Sequence, residues 1–351
     1  MDGISAKHPL SFGVISASGM AQAHMDAIVF NRARLAAICD IDYEKARQVG
    51  AQYGVEDIYQ DYRQLIARPD IDAVVVCTPD QLHPEMTVAA LEAGKHVLCE
   101  KPMAMTVEEC RAMIDASRRT GKKLMVGQVC RYAPGFVKAK ELIDSGEIGE
   151  LFFVESEYAH DYSHISGADN WRKDPVRLRH PVLGGGCHAF DLLRWIAGDP
   201  YEVTAYSSKK VLTDWPVDDC TISILKFPNG ILGKAFVSIG CKRKYTMRSV
   251  FYGSKGTVIV DNTSPELTLY RERLTGDPSI DEMLGQSTGI VLPVSINNHN
   301  TVAEIGEFID SIENDKPVRT DGVQGASTVA ACLAAVESAR TGRAVSVSYD
   351  F

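Results

Sequence analysis

The chain has 351 residues, 45% of them hydrophobic and 24% charged, and a formal charge of -9. That length is long for one core and predicts two domains. The acidic balance argues against a nucleic-acid surface, which needs clustered Lys and Arg to neutralise phosphates. The apolar runs fall far short of the roughly 18 residues needed to span a bilayer, and no signal-peptide pattern precedes Leu10. Nine cysteines without a Cys-x-x-Cys pair read as buried residues of a reducing compartment. The composition therefore predicts a soluble, cytoplasmic protein with no nucleic-acid or membrane partner.

From Leu10 to about Gln128 short β-rich runs alternate with helical segments, the pattern of a parallel sheet with crossover helices. Strands are predicted at Leu10–Ile15, Leu35–Asp40, Ala73–Thr78, His96–Cys99 and Lys123–Val126. Pro84 suits the first turn of a helix that Gly94 stops, and Thr106 with Glu109 has capping-box spacing for a helix closed by Gly121. Beyond Arg131 the runs lengthen and alternate, predicting strands at Leu151–Tyr158, Glu202–Ser208, Thr221–Phe227, Ile231–Ile239, Arg248–Tyr252, Thr257–Val260 and Leu267–Tyr270. Phe227-Pro228-Asn229-Gly230 reads as a hairpin turn. Glu272–Ile296 reads as a mobile loop, followed by helices at Val302–Asn314 and Gly322–Thr341 and a strand at Val345–Ser348. The expected architecture is an α/β domain over 1-128 and an α+β domain over 129-351 with a large, mostly antiparallel open sheet.

After the first strand comes Gly13-Val14-Ile15-Ser16-Ala17-Ser18-Gly19-Met20-Ala21. A dinucleotide fingerprint wants glycine for a tight turn, for close approach to pyrophosphate and for helix packing. Ser16 and Ser18 hold the first two of those positions and Ala21 the third. Placement between strand and helix still marks a Rossmann cofactor loop, with Ser16, Ser18, Gly19 and Met20 at the phosphates and the serine hydroxyls donating to them. Asp40 ends the second strand and suits two ribose hydroxyls, while its carboxylate would repel a 2′-phosphate and neither Ile41 nor Asp42 offers an arginine. NAD is favoured over NADP.

Glu100-Lys101-Pro102 places a lysine where a parallel strand runs out, the edge at which open α/β sheets bind ligands. Together with Thr78-Pro79, His83-Pro84 and Ala89 through Cys99, it closely resembles the signature of the glucose-fructose oxidoreductase / inositol dehydrogenase / MocA (Gfo/Idh/MocA) family. The resemblance runs from Phe12 to about Val347 and includes Cys187 through Trp195 and Ser338 through Arg343. It implies a nicotinamide-dependent oxidoreductase of sugars or polyols that works as a homodimer or homotetramer. Thr78, Pro79, His83, Glu100 and Lys101 would then border the cofactor, and Lys101 and His188 would converge on the reacting hydroxyl.

Oxidising a secondary alcohol requires a group of near-neutral pKa at the hydroxyl, a task that suits histidine. His188 is accordingly expected to take the proton while Lys101 polarises the oxygen. One departure stands out: many redox members carry an aspartate four residues before the histidine, and here that residue is Gly184. Asp161, Asp169 or Asp191 are the candidate replacements. Substrate contacts are expected from Arg131, Tyr132, His160, Tyr162, Trp171, Arg172 and Asp191, because aromatic faces beside hydrogen-bonding groups match a polyhydroxylated ring. His160, His164, His180 and His188 form no compact ligand motif, so no metal is expected. Two other readings compete: a redox-neutral enzyme that retains NAD for epimerisation, elimination or glycoside cleavage, and an NAD-binding sensor or interaction protein.

Overall fold

The computed structural model describes residues 8–165, 167–175, 179–272, 275–284 and 289–351. The first compact unit contains β1 (Ser11–Ile15), α1 (Gly19–Phe30), β2 (Arg34–Cys39), α2 (Tyr43–Tyr53), β3 (Ile58–Tyr59), α3 (Tyr62–Ile66), β4 (Ala73–Val76), α4 (His83–Glu92), β5 (His96–Cys99), α5 (Val107–Thr120) and β6 (Leu124–Val126). Its strands pair in parallel in the order β3-β2-β1-β4-β5-β6. β1, β4 and most of β5 are buried, as expected of strands covered on both faces. The strand order reverses between β1 and β4, and the crevice at such a switch point is where a dinucleotide sits. The capping box read from Thr106 and Glu109 is formed.

The second unit contains α6 (Pro134–Asp144), β7 (Leu151–Ala159), α7 (Pro181–Gly184), α8 (Cys187–Ala197), β8 (Glu202–Ser208), β9 (Cys220–Lys226), β10 (Leu232–Ser238), β11 (Thr246–Gly253), β12 (Gly256–Asp261), β13 (Glu266–Arg271), α9 (Pro278–Leu284) and β14 (Ile290–Pro293). Beyond these lie α10 (Thr301–Glu313), α11 (Gly322–Thr341) and β15 (Val345–Ser346). The sheet order is β14-β13-β12-β11-β7-β10-β9-β8-β15. Its ladders are antiparallel except for β7 with β10. The turn joining β9 to β10 has Asn229 at φ 63° and Gly230 at φ 78°, the pair of positive values that a tight hairpin requires. On β8, β9 and β10 alternate residues are buried, and the other face carries Tyr206, Ile222, Ile224 and Leu232, all exposed.

Two expectations need correction. The stretch Glu272–Ile296, read as a loop, contains α9 and β14; strand β14 pairs with β13 through Leu267–Leu292 and its neighbours, a tertiary pairing that overrides the Gly- and Pro-rich composition. The boundary at 128 also does not hold to the end of the chain, because Thr301–Ala326 groups with the first unit. The reason is packing: Phe308 of α10 meets Phe12 of β1 edge to face at 6.3 Å. Asn31 Nδ2 donates to the Val302 carbonyl (2.9 Å) and Thr301 Oγ1 to the Ala23 carbonyl (3.3 Å).

This return buries Glu304 completely, and neither of its carboxyl oxygens has a hydrogen-bond partner among the described residues. Burial, and then the negative charges of Glu100 and Glu307, push its pKa well above the usual carboxylate value. A carboxyl with a raised native pKa keeps its proton where the unfolded chain, at about 4.3, loses it, so stability present at low pH is lost as pH rises toward the native value. Glu304→Gln, of equal size and never charged, is therefore expected to stabilise the protein at pH 8 by at least about 1 kcal/mol, the worth of one pKa unit, and by less at pH 5. Equal shifts in denaturation midpoint at the two pH values would contradict this.

Candidate active site

In the first unit the predicted cofactor residues gather at the carboxyl ends of β1, β2, β4 and β5. Ser16 has φ 120°, so serine stands in the backbone conformation for which the fingerprint wants glycine, at a cost of roughly 1–3 kcal/mol. Its Oγ accepts the Ser18 N–H (3.0 Å), and the Ser18 side chain caps α1 by accepting the Ala21 N–H (3.4 Å). Each hydroxyl thus serves the loop as an acceptor, which leaves its O–H able to donate to a phosphate. Asp40 Oδ2 accepts the Ala17 N–H (2.7 Å) and Oδ1 the Asp42 N–H (3.0 Å), fastening the end of β2 to the turn after β1. A Cβ placed on Gly19 would meet nothing within 4 Å among the described residues, so the start of α1, with Met20 in its first turn, is open to a pyrophosphate drawn by free N–H groups and the helix dipole. The residues fit a bound dinucleotide.

The loops after β4 and β5 are tied together by His83. Its Nδ1 lies 2.8 Å from the Pro102 carbonyl and its Nε2 2.9 Å from the Thr78 carbonyl. Carbonyls only accept, so a doubly protonated ring satisfies both. Burial opposes that charge, but the Cys99 sulfur, Asp80 and the Pro102 carbonyl outweigh it and lift the pKa to about 10. His83 is therefore a buried bracket whose two nitrogens engage backbone, with Pro79 in the span it closes. Glu100 Oε1 lies 2.8 Å from His24 Nε2, and Oε2 accepts the Lys101 N–H at 3.0 Å. Burial alone would raise the Glu100 pKa; His24 and Lys101 outweigh it and bring it down to about 2. Lys101 is half-buried, and its bond to Pro102 is cis.

In the second unit an aromatic and histidine cluster surrounds His188, the second residue of α8. Tyr158 stacks on His188 at 6.5 Å, and His299 lies 5.8 Å from it. The Tyr158 hydroxyl meets His160 Nδ1 (3.2 Å) and the Tyr162 hydroxyl (2.9 Å), and the Tyr245 hydroxyl meets His299 Nε2 (3.4 Å). His160 and Tyr162, expected at the substrate, join this cluster through Tyr158, while Tyr158, Tyr245, His299 and Cys130 were not singled out from the sequence. Tyr158, His160 and Tyr162 recur every second residue along and beyond β7, a signal of one shared face; Tyr245 and His299 carry no such mark.

The remaining predicted residues divide. Arg131 and Asp191 form a buried bidentate pair (2.8 and 2.7 Å), and Thr328 Oγ1 donates to the same carboxylate at 2.9 Å. Such a pair braces α8 rather than recognising a sugar, so both residues are reassigned to the scaffold. Tyr132 is buried, and its carbonyl accepts from Asn300 at 3.1 Å. Trp171 is buried with the Arg172 guanidinium 4.4 Å and the Arg179 guanidinium 4.8 Å from its ring. At Gly184 a Cβ would lie 2.7 Å from Arg179 Nε, so an aspartate there would have to displace Arg179. Among the candidate replacements, Asp161 bonds Ser163 and Lys242, Asp191 is taken by Arg131, and the Asp169 side chain lies outside the description. Among the described residues no three His, Cys, Asp or Glu side chains form a metal site, and no helix is long and apolar enough to cross a membrane.

The Ser16 backbone makes a direct prediction. Ala is ordinarily more stabilising than Gly by about 0.4–1 kcal/mol; here both Ser16→Ala and Ser16→Gly lose the hydroxyl, and the glycine variant is expected to be the more stable by about 1 kcal/mol. Denaturant melts that rank alanine above glycine would refute the strain.

The chain matches the family model "Oxidoreductase family, NAD-binding Rossmann fold" over residues 10–128 and "GFO/IDH/MocA C-terminal domain" over residues 136–259. It is 31% identical to the inositol 2-dehydrogenase/D-chiro-inositol 3-dehydrogenase of Halalkalibacterium halodurans, across 94% of this chain and 92% of that protein. Among solved structures it is similar to an NAD binding oxidoreductase from Klebsiella pneumoniae (26% identity, TM-score 0.87, covering 98% of this chain and 100% of that one). It is likewise similar to levoglucosan dehydrogenase in complex with NADH and L-sorbose (25% identity, TM-score 0.87, covering 97% and 99%). Matched by both domain models and by a relative of 31% identity over nearly its whole length, this chain belongs to the Gfo/Idh/MocA family of NAD-binding oxidoreductases.

Proposed function

We propose that the protein is an NAD-dependent dehydrogenase of a secondary alcohol on a sugar or polyol, with Lys101 and His188 as the reacting pair. The observation that carries this reading is the cluster around His188: a buried imidazole against Tyr158 and His299, with His160 and Tyr245 packed on those rings and on each other. Ring faces there suit the CH face of a sugar, and the hydroxyl and imidazole edges suit its OH groups. The names of relatives, an inositol dehydrogenase and a levoglucosan dehydrogenase, support the same substrate class.

Ser16, Ser18, Gly19 and Met20 would hold the pyrophosphate and Asp40 the adenosine ribose, which favours NAD over NADP. When bound, NAD accepts the hydride from the carbinol carbon. His188 takes the hydroxyl proton, and Lys101 places a positive charge beside the oxygen as negative charge develops there. Glu100 acts through Lys101: its bond to the Lys101 N–H and its pairing with His24 fix the peptide from which the lysine extends.

The experiment is nicotinamide absorbance with NAD or NADP against polyols, aldoses, anhydrosugars and glycosides. NADH growth with one substrate is expected, falling by at least about 100-fold in Lys101→Ala and in His188→Ala, the loss typical of a general acid or base. Unchanged turnover in either variant would remove that residue from the chemistry. Glycoside or epimer conversion without net NADH would favour the redox-neutral reading instead.

The exposed face of the second unit's sheet supports self-association. Tyr206, 70% exposed, pairs directly across β8 and β9 with Ile222, and Ile224 and Leu232 extend the same apolar area. Light scattering should show a dimer or tetramer that Ile222→Glu with Ile224→Glu dissociates. A wild-type monomer at micromolar concentration would overturn this assignment.

A further inference from the structure

His188 Nδ1 lies 3.4 Å from Cys130 Sγ, and that sulfur lies 3.5 Å from Met247 Sδ. His188, Cys130 and Met247 are 2%, 1% and 1% exposed. A thioether has no hydrogen to give, so a proton on the sulfur–sulfur contact belongs to Cys130. With the thiol turned toward Met247, the Cys130 lone pairs face His188, and the contact is completed only by an Nδ1–H. The opposite arrangement points the thiol at Nδ1 and leaves the two sulfurs in contact with no hydrogen between them. It also moves the ring hydrogen to Nε2.

A neutral imidazole carries one N–H, and the partner of one nitrogen decides which nitrogen keeps its lone pair. We infer that Cys130, oriented by Met247, is a positioning residue that holds His188 in the Nδ1–H tautomer and so presents Nε2 as the proton-accepting atom. This rests on the proposed reading of His188 as the base, although the tautomer exists whatever the reaction. When the substrate O–H gives its proton to Nε2, the ring becomes an imidazolium whose Nδ1–H still points at Sγ, and no proton crosses the sulfur. The space beside Gly184, where an aspartate could otherwise stand, is filled by Arg179. The sulfur pair therefore supplies, from Cys130 in the turn after β6 and Met247 of β11, what no carboxylate at 184 can.

The test is long-range proton–nitrogen correlation of histidine-labelled protein, with the His188 signals identified by their loss in His188→Asn. Nδ1 should be protonated in the wild type and in Cys130→Ser, whose hydroxyl still accepts. Met247→Leu, a swap that conserves volume, should shift the population toward Nε2–H, because the thiol then turns to Nδ1. Cys130→Ala should lower kcat about tenfold, the order typical of losing the partner that fixes a functional imidazole, with the KM for NAD unchanged and with most of the rate restored in Cys130→Ser. A wild-type Nε2–H tautomer, or one that neither Cys130→Ala nor Met247→Leu alters, would overturn the inference. Absence of turnover on every sugar and polyol would defeat the proposed function while leaving the spectroscopic result to decide the tautomer.

Discussion

The buried carboxylate of Glu100 is the constraint on which the nucleotide-binding unit turns. It sits at the end of β5 with one oxygen on His24 from α1 and the other on the Lys101 peptide N–H. His24 and Glu100 expose 0% and 8% of their side chains, so removing either partner would strand the other at a cost of about 3–5 kcal/mol. The pairing does more than hold a core together. Helix α1 starts at the phosphate loop, and its sixth residue grips the residue before the lysine; the cofactor turn and the strand-end lysine therefore share one rigid link. A Cβ on Gly127, the residue after β6, would lie 3.1 Å from the same carboxylate, so a side chain there would press Glu100 from its position.

Around that link the protein tolerates local conflict. Ser16 adopts a glycine backbone, Glu304 is buried without a partner, and His83 is lifted toward a permanent charge between two carbonyls. Conflicts of this kind collect where geometry has been selected over stability. Each lies at, or packs beneath, a loop at the carboxyl edge of the parallel sheet. None lies among the buried strands, whose Val74, Val75, Val97 and Leu98 are apolar and fully enclosed.

How far the sequence could be read depended on whether its signals were local. The capping box at Thr106, the turn at Asn229-Gly230 and the alternation of β8 to β10 are carried by adjacent residues, and they appear where the pattern places them. β3, two residues long, is too short to carry a period. The parallel pairing of β7 with β10 and the return of Thr301–Ala326 to the first unit depend on partners distant in the chain. The same limit applies to the site. Lys101, Asp40 and the serine loop stand at motif positions that adjacent residues mark, whereas Cys130 and His299 meet His188, and Met247 and Tyr245 meet them in turn, only once the sheet has formed.

Arg131 and Asp191 show why residue type alone misleads. Polar and charged, one three residues from His188 and the other just after the first unit, they resemble substrate ligands; in the structure they neutralise one another, with Arg194 and Thr328 completing the shell of Asp191. A sugar hydroxyl would have to break a charge-assisted pair that already satisfies both groups, and it would gain only a neutral hydrogen bond in exchange. The residues around His188 are of the opposite kind. Tyrosine hydroxyls and imidazoles donate and accept with equal ease, so their bonds to one another can be exchanged for bonds to a polyol at little net loss. Under the proposed function, specificity would rest on the exchangeable ring of Tyr158, His160, Tyr245 and His299, while the Arg131–Asp191 ion pair supplies rigidity.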